Sequence, residues 1–212
     1  MTVSNRWNKI RYRLYAPVYD WVAQPLERGR KRAIERLDPQ PGDQILILGS
    51  GTGMDLEYFP PGVEVTAIDV TPAMVRRTEA RAESLGRDID ARVGDARSLP
   101  FDDGTFDVVI LHLILSVIPD PKAVVSETAR VLNEGGRVSI YDKFIHEGSD
   151  ASLLRRAVNP LARFLFADLN RRLEPMLDGT DLDIGSREGF LGGLYTVTIA
   201  RPTDDDRVAD PA

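Results

Sequence analysis

Short runs of apolar residues alternate with helix-spaced apolar positions through most of the chain. The runs predict strands over residues 44–48, 63–69, 89–94, 106–111 and 136–142. Helical spacing is found near residues 20–37, 53–58, 72–85, 120–132 and 152–177. Strands that alternate with helices are typical of a mostly parallel sheet with helices on both faces. The pattern therefore predicts an α/β, doubly wound fold.

Prolines and glycines set the predicted boundaries of these elements. Thr71-Pro72 and Asp120-Pro121 each place a capping residue before a proline at the first helical position. Around Gly192-Gly193, residues 180–188 and 193–200 predict a C-terminal antiparallel hairpin. With the five apolar runs, this hairpin gives a sheet of seven strands.

The chain length of 212 residues suits one full α/β domain. We expect that domain to span residues 1–202, with a helical lid over residues 1–38 and a helical insertion over residues 150–178. The Asp-rich residues 203–212 predict a disordered tail. No apolar run approaches the roughly 20 residues that span a bilayer. The N-terminus lacks an apolar signal core, so we expect a cytoplasmic protein.

The composition excludes several kinds of chemistry. The chain has no cysteine, which excludes disulfides, zinc–thiolate sites and cysteine nucleophiles. Its two histidines, His112 and His146, are too few for most transition-metal sites. We therefore expect no metal.

Charge is unevenly distributed along the chain. Residues 1–36 contain nine Arg or Lys and three Asp or Glu, a net charge of +6. Because the whole chain carries −6, the remainder carries −12. A basic segment on an acidic body indicates an anionic partner, either nucleic acid or an anionic lipid surface. An ordinary solvated helix face is the alternative interpretation.

A glycine motif follows the first predicted strand. Gly49, Gly51 and Gly53 form G-x-G-x-G, whereas a dinucleotide fingerprint needs a glycine where this chain has Met54. Glycines let the backbone approach a ligand closely, and the next helix points its N-terminus at it. The alternative is an ordinary Gly-rich turn.

Acidic residues follow the second and third predicted strands. Asp69 can accept both hydroxyls of a ribose, and Val70 can pack against adenine. Thr71 already fills the capping role that Asp69 would otherwise explain. Asp95 can accept from the exocyclic amine of adenine, and the backbone N–H of Ala96 can reach a ring nitrogen. For Asp95 the alternative is a surface turn.

Two further motifs follow: L-P-F-x-D-x-x-F-D from Leu99 and R-V-L-x-x-G-G from Arg130. Together with the glycine motif and the two acidic residues, they resemble class I methyltransferases that use S-adenosylmethionine (SAM). The resemblance covers about residues 43–142. It implies SAM as cofactor, S-adenosylhomocysteine as product, no metal, and a Rossmann-like methyltransferase fold. The implied cofactor-binding residues are Tyr15, Tyr19, Gly49, Ser50, Gly51, Thr52, Gly53, Asp69, Val70, Met74, Asp95, Ala96, Leu111 and His112.

The flanking segments narrow the resemblance. Residues 15–20, 29–30, 166–173 and 191–195 are similar to phosphatidylethanolamine N-methyltransferases, which lie close to the ubiquinone and menaquinone biosynthesis methyltransferases. This implies a small-molecule or lipid acceptor, with a phospholipid amine as one candidate and no nucleic acid partner. A quinone precursor or another soluble metabolite is the alternative acceptor. A SAM-binding protein without transferase activity is the alternative from another class.

One position departs from the family pattern. Two residues before the first glycine, the family carries an acid that helps to hold the methionine ammonium group, and this chain has Ile47. Backbone carbonyls around Gly49, or hydroxyls of Tyr15 or Tyr19, would have to compensate. Ile47 is the feature that favours the non-enzymatic alternative.

Three residues are candidates for catalysis: His112, Tyr19 and Tyr141. His112 follows the fourth strand and Tyr141 ends the fifth, where the ligand crevice of this fold opens. A packing role for His112 is the alternative to a general base. Two segments predict weak peripheral contact with an anionic membrane, or alternatively a plain packed lid. They are the aromatic-rich N-terminal segment and the segment that carries Arg155, Arg156, Arg163, Arg171 and Arg172.

Overall fold

A computed structural model describes residues 26–144, 171–190 and 193–203. Within these ranges the helices are α1 (Glu27–Leu37), α2 (Pro72–Ser84), α3 (Pro121–Val131) and α4 (Glu174–Leu177). A 3₁₀ helix spans Met54–Tyr58. The strands are β1 (Gln44–Leu48), β2 (Glu64–Asp69), β3 (Asp90–Val93), β4 (Phe106–His112), β5 (Leu132–Asp142), β6 (Leu182–Phe190) and β7 (Tyr195–Pro202).

The strands form one seven-stranded sheet in the order β3-β2-β1-β4-β5-β7-β6. The first five strands run parallel, β7 pairs antiparallel with β5, and β6 pairs antiparallel with β7. This confirms the predicted doubly wound sheet and its terminal hairpin. The order reverses at β1, because β2 and β3 lie on one side of it and β4 on the other.

The core lies on both faces of the sheet, as the continuous apolar runs predict. Leu46 and Leu48 of β1 pack into one core cluster, and Ile45 and Ile47 pack into the cluster on the opposite face. Since successive strand residues point to opposite faces, β1 is buried on both sides. Such a central strand can hold the loop after it firmly in place.

Most element boundaries agree with the sequence pattern. β5 begins at Leu132, four residues before its predicted start, because Leu132 pairs with Phe106 across an irregularity in the β4–β5 register. The segment at Met54–Tyr58 is a 3₁₀ helix rather than an α-helix. Asp120 caps α3 by accepting from the backbone N–H of Ala123.

Thr71 is the N-cap residue of α2 and Pro72 lies at its first helical position, as the sequence predicts. Thr71 makes no capping hydrogen bond with its side chain. Its backbone N–H instead donates to Asp69 Oδ1 at 2.8 Å. Asp69 therefore satisfies a donor at the start of α2 as well as facing the ligand edge.

Several predictions lie outside the described residues. These are most of the 1–38 segment, most of the 150–178 insertion and nearly all of the C-terminal tail. In the part of the chain that the structure describes, no helix is long and apolar enough to cross a bilayer. The same part contains no group of three or more His, Asp and Glu side chains that could hold a metal ion.

Candidate active site

A cleft opens at the carboxyl ends of β1, β2 and β4, where the strand order reverses. Ligands of open α/β sheets bind at such a reversal. The lining residues come from the glycine loop, the ends of three strands and the loop after β4. They are Gly49, Gly51, Ile68, Asp69, Val70, Met74, Gly94, Asp95, Ala96, His112, Leu113, Ile114, Val117 and Ile118.

The glycine loop forms the floor of this cleft. Gly49, Gly51 and Gly53 have φ of 70°, 60° and 74°, in the left-handed region that favours glycine. A Cβ on Gly49 would lie 2.8 Å from Ile114 Cδ1, so a larger residue would force the wall of the cleft to move. The Thr78 hydroxyl of α2 donates a hydrogen bond to the carbonyl oxygen of Gly51 and also bonds to Ser50 Oγ. These two hydrogen bonds tie the loop to α2. The loop is thereby held open for a ligand.

Asp69 lies at the centre of the cleft in a fixed orientation. Its Oδ2 accepts from Gly51 N at 3.0 Å and its Oδ1 accepts from Thr71 N at 2.8 Å. Burial raises the pKa of Asp69, and these two backbone bonds oppose that shift. Each carboxylate oxygen can accept more than one hydrogen bond, so both can still receive ribose hydroxyls.

Asp95 contacts a residue that the sequence analysis missed. Arg97 Nη2 donates to Asp95 Oδ2 at 2.7 Å, and Arg97 Nε donates to Asp95 Oδ1 at 3.0 Å. The backbone N–H of Arg97 also donates to Oδ1. These bonds fix the carboxylate at the rim of the cleft. Only the i, i+2 spacing of an acid and an arginine in a turn could have indicated this pair.

His112 lines the cleft, but both its ring nitrogens have partners. Nδ1 lies 2.7 Å from Asp55 Oδ1 and Nε2 lies 2.9 Å from Ser139 Oγ. The ring is therefore fixed in orientation, and both of its nitrogens are already engaged by protein side chains rather than by a substrate. This geometry favours a role in the cleft wall, and the role of general base stays a prediction.

Arg30 completes a buried polar chain behind the cleft. Its Nη1 donates to Asp55 Oδ2 at 2.6 Å, so the chain runs from α1 through Asp55 and His112 to β5. Burial raises the pKa of Asp55, but the Arg30 guanidinium and the His112 ring hold it well below its usual range. An ionised Asp55 accepts the Nδ1 proton of His112, which leaves Nε2 to accept from the Ser139 hydroxyl when the ring is neutral.

Ile47 is buried in the core cluster that also contains Ile34 and Ile110. An acid at this position would lie among apolar side chains, so this chain could not place the family carboxylate there without repacking. Asp55 is a buried carboxylate of the 3₁₀ helix that follows the glycine loop. It does not line the cleft, and it acts on the cleft wall through His112.

Of the predicted site residues within the described ranges, five do not line the cleft. Ser50 and Thr52 are buried, and Gly53 packs against Thr78. Leu111 lies wholly in the core, on the strand below the rim. The fifth is Tyr141.

Tyr141 lies behind the rim. A Cβ on Gly29 of α1 would lie 2.2 Å from its hydroxyl, so α1 covers this ring and position 29 is confined to glycine. Burial, followed by the neighbouring Tyr195, raises the pKa of Tyr141 above its usual range. Tyr141 is therefore separated from the cleft by neighbouring residues. A direct catalytic role for Tyr141 stays a prediction. Tyr15 and Tyr19 lie outside the described residues.

The comparisons with known proteins agree with this geometry. Residues 46–140 match the methyltransferase domain family. A phosphatidylethanolamine N-methyltransferase of Cereibacter sphaeroides is 35% identical over 150 residues, which cover 69% of this chain and 72% of the relative. A demethylmenaquinone methyltransferase of Paenarthrobacter aurescens (strain TC1) is 32% identical over 223 residues, which cover 92% of this chain and 86% of the relative. The chain therefore belongs to the SAM-dependent methyltransferases.

A solved structure shows the same fold. The geranyl diphosphate C-methyltransferase of Streptomyces coelicolor A3(2), in complex with Mg²⁺, geranyl-S-thiolodiphosphate and S-adenosylhomocysteine, has a TM-score of 0.68 and 16% identity. The match covers 83% of this chain and 76% of that one. The similarity to the two sequence relatives favours a transferase over a SAM-binding protein without transferase activity.

The residues present fit SAM. The diol acceptor Asp69 is fixed by the glycine loop, and apolar side chains of Val70, Met74 and Ile118 line the cleft on which a purine can lie. Asp95 and the backbone of Ala96 lie at the same cleft, where an adenine edge needs an acceptor and a donor. The cleft therefore offers the hydrogen-bonding groups and the apolar surface that SAM requires.

Proposed function

We propose that this enzyme transfers methyl groups to the amine of a phospholipid headgroup. The observation that carries the proposal is the apolar and aromatic rim beside the cofactor cleft. Leu113 lines the cleft and, like Tyr195, packs against the buried cluster that contains Tyr141 at the carboxyl end of β5. A lipid-like acceptor can lie against such a rim while its amine approaches the cleft. The similarity to a phosphatidylethanolamine N-methyltransferase supports the same acceptor.

The protein contributes to the proposed reaction by aligning the two reactants and by excluding water from them. SAM supplies a methyl group on a sulfonium leaving group. The lone pair of a neutral amine forms the new N–C bond as the C–S bond breaks, and the resulting ammonium then loses a proton to water. The glycine loop and Asp69 would hold the nucleoside, and the buried His112 with the half-buried Leu113 would keep water from the reacting atoms.

Membrane contact is part of the proposal. A phospholipid acceptor lies in a bilayer, and the net charge of +6 on residues 1–36 would attract the enzyme to an anionic surface. The charge of −12 on the remainder opposes this attraction. We propose that one domain over residues 1–202 binds the surface reversibly, with the segment before residue 39 acting as its lid.

Label transfer tests the proposed acceptor. The full chain is incubated with methyl-labelled SAM and vesicles that contain phosphatidylethanolamine, and the lipids are separated by headgroup. We expect label in mono-, di- and trimethylated headgroups. Vesicles of phosphatidylglycerol, which has no amine, are the control. Equal label in both vesicle types, or none in either, would contradict the proposal.

A quinone precursor is the second candidate acceptor. The similarity to a demethylmenaquinone methyltransferase extends over 92% of this chain, further than the match to the phospholipid enzyme. Carbon methylation needs a base that favours the carbanion or enolate, and both ring nitrogens of His112 have other partners. Label in an added demethylmenaquinone but not in the phospholipid would establish this alternative.

A further inference from the structure

Three aromatic rings lie together at the edge of the sheet where the cleft opens. These rings, the edge cluster, are Tyr141, Phe190 and Tyr195. The ring centroids of Tyr141 and Tyr195 are 5.6 Å apart and those of Tyr141 and Phe190 are 6.4 Å apart. Phe190 pairs with Tyr195 across the β6–β7 hairpin. The hairpin thus places its rings beside the end of β5.

The edge cluster adjoins the cofactor cleft through two residues. His112 lines the cleft, and its ring makes a T-shaped contact with Tyr141 at 5.9 Å. Leu113 also lines the cleft and packs against the buried group of Ala33, Tyr141 and Val197, which shares Tyr141 with the edge cluster. Its φ of 60° is uncommon for a residue with a side chain, and such strain is concentrated at functional sites. A group held at the edge cluster would therefore lie next to the cleft.

A cation already lies against one of these rings. Lys143 Nζ is 5.3 Å from the ring centroid of Tyr195, within the range of a cation–π contact. Phe190 and Tyr195 are only partly buried, whereas Tyr141 is 1% exposed, so a ligand at the rim would contact the rings of Phe190 and Tyr195. This contact shows that the ring of Tyr195 accepts positive charge on its face.

A buried carboxylate adds negative charge beneath the cluster. Asp142 is fully buried, and its oxygens accept from the backbone N–H groups of Ser116 and Lys143, each at 2.8 Å. Burial, followed by the charge of Asp142, raises the pKa of Tyr195 to about 12. Tyr195 therefore keeps its proton at neutral pH, and its ring stays an uncharged aromatic face.

We propose that the edge cluster is an ammonium-binding subsite, which holds the amine end of the methyl acceptor and its methylated products. The inference rests on the proposed function, since it names the group that the acceptor presents. Positive charge develops on the nitrogen as the N–C bond forms, so the aromatic faces and Asp142 stabilise the transition state more than a neutral amine. Lys143 occupies one of these faces and competes with the ligand.

Choline and its neutral isostere 3,3-dimethylbutan-1-ol test the subsite directly. Binding of each to the full chain is measured by NMR titration with S-adenosylhomocysteine present. The two probes have the same shape and differ in charge. We expect choline to bind about two- to fivefold more tightly, the range of one exposed cation–π contact. Equal binding of the two probes would overturn the proposal.

Variants of Tyr195 and Lys143 separate this subsite from a general effect of charge. Tyr195→Phe should keep the preference for choline, and Tyr195→Leu should lose it. Lys143→Met removes the competing cation and should tighten choline binding about two- to fivefold. The gain from Lys143→Met should vanish in the Tyr195→Leu background. If the gain persists there, Lys143 acts by simple repulsion and the aromatic subsite is refuted.

The outcomes distinguish this inference from the proposed acceptor. If the enzyme labels the phospholipid but binds the two probes equally, the subsite is refuted and the proposed function is supported. Discrimination of the probes without any labelled phospholipid would support the subsite and refute the phospholipid acceptor. Circular dichroism of Tyr195→Leu, with Phe190→Leu as a second variant, shows that a lost preference does not come from unfolding.

Discussion

Removal of the Asp55 carboxylate should destabilise the fold more than removal of any exposed acid. The Arg30–Asp55 pair has side chains only 6% and 3% exposed, with N and O 2.6 Å apart. Asp55→Ala takes from Arg30 its buried carboxylate partner and from His112 its Nδ1 partner. Breaking a buried pair by removing one member costs about 3–5 kcal/mol. We expect a decrease of that size in the free energy of unfolding.

Urea denaturation followed by circular dichroism measures this change. Glu35→Ala is the matched control, because Lys31 and Glu35 are 4.0 Å apart and 64% and 51% exposed. An exposed pair of this kind contributes about 0–1 kcal/mol. Arg30→Met combined with Asp55→Ala should be less destabilised than the sum of the single variants, since residues in contact couple by about 0.5–3 kcal/mol.

The pH dependence gives the Asp55 prediction a second readout. The folded-state pKa of Asp55 lies below its usual value, so its contribution is present above about pH 4 and is lost as the pH falls further. The difference between wild type and Asp55→Ala should therefore shrink in acid. A difference below about 1 kcal/mol at neutral pH, or one that grows in acid, would refute the assignment of this chain of contacts.

Three further predictions concern the cofactor and the membrane. Asp69→Ala should weaken SAM binding by about 1–3 kcal/mol in calorimetry, because the ribose loses a charged acceptor; unchanged affinity would place the ribose elsewhere. Ile47→Asp should leave SAM binding unchanged or tighter while lowering the unfolding free energy, since it puts a carboxylate among apolar side chains; weaker SAM binding would contradict a role for an acid there. Deleting residues 1–14 should reduce co-sedimentation with anionic vesicles at low salt more than it reduces SAM affinity, and salt should abolish the difference; no vesicle binding by the full chain would leave a soluble acceptor as the better interpretation.

The fold could be predicted because its signals are local. β1, β2 and β4 are short, largely buried apolar runs, and the glycine loop follows β1 while Asp69 ends β2. The same holds for most of the cleft, because the carboxyl ends of parallel strands meet at one edge of the sheet. The order of strands and loops along the chain therefore indicates which strand-end residues lie close together.

The contacts behind the cleft could not be predicted in this way. His112 is 57 residues from Asp55 and 27 residues from Ser139 in the sequence, and Arg30 is 25 residues from Asp55. The hydrophobic pattern of the sequence does not indicate that these residues are neighbours. They come together only when α1, the 3₁₀ helix, β4 and β5 pack against one another. The burial of Tyr141 beneath Gly29 has the same origin.

The central claim is that the cofactor cleft and the edge cluster hold the two reacting partners side by side. A crystal structure of the full chain with S-adenosylhomocysteine and choline tests it most directly. The account predicts the ribose hydroxyls within hydrogen-bond distance of Asp69, the thioether sulfur directed towards the rim at Leu113, and the choline nitrogen against the ring of Tyr195. A nucleoside bound away from Asp69, or a sulfur directed away from the edge cluster, would contradict it.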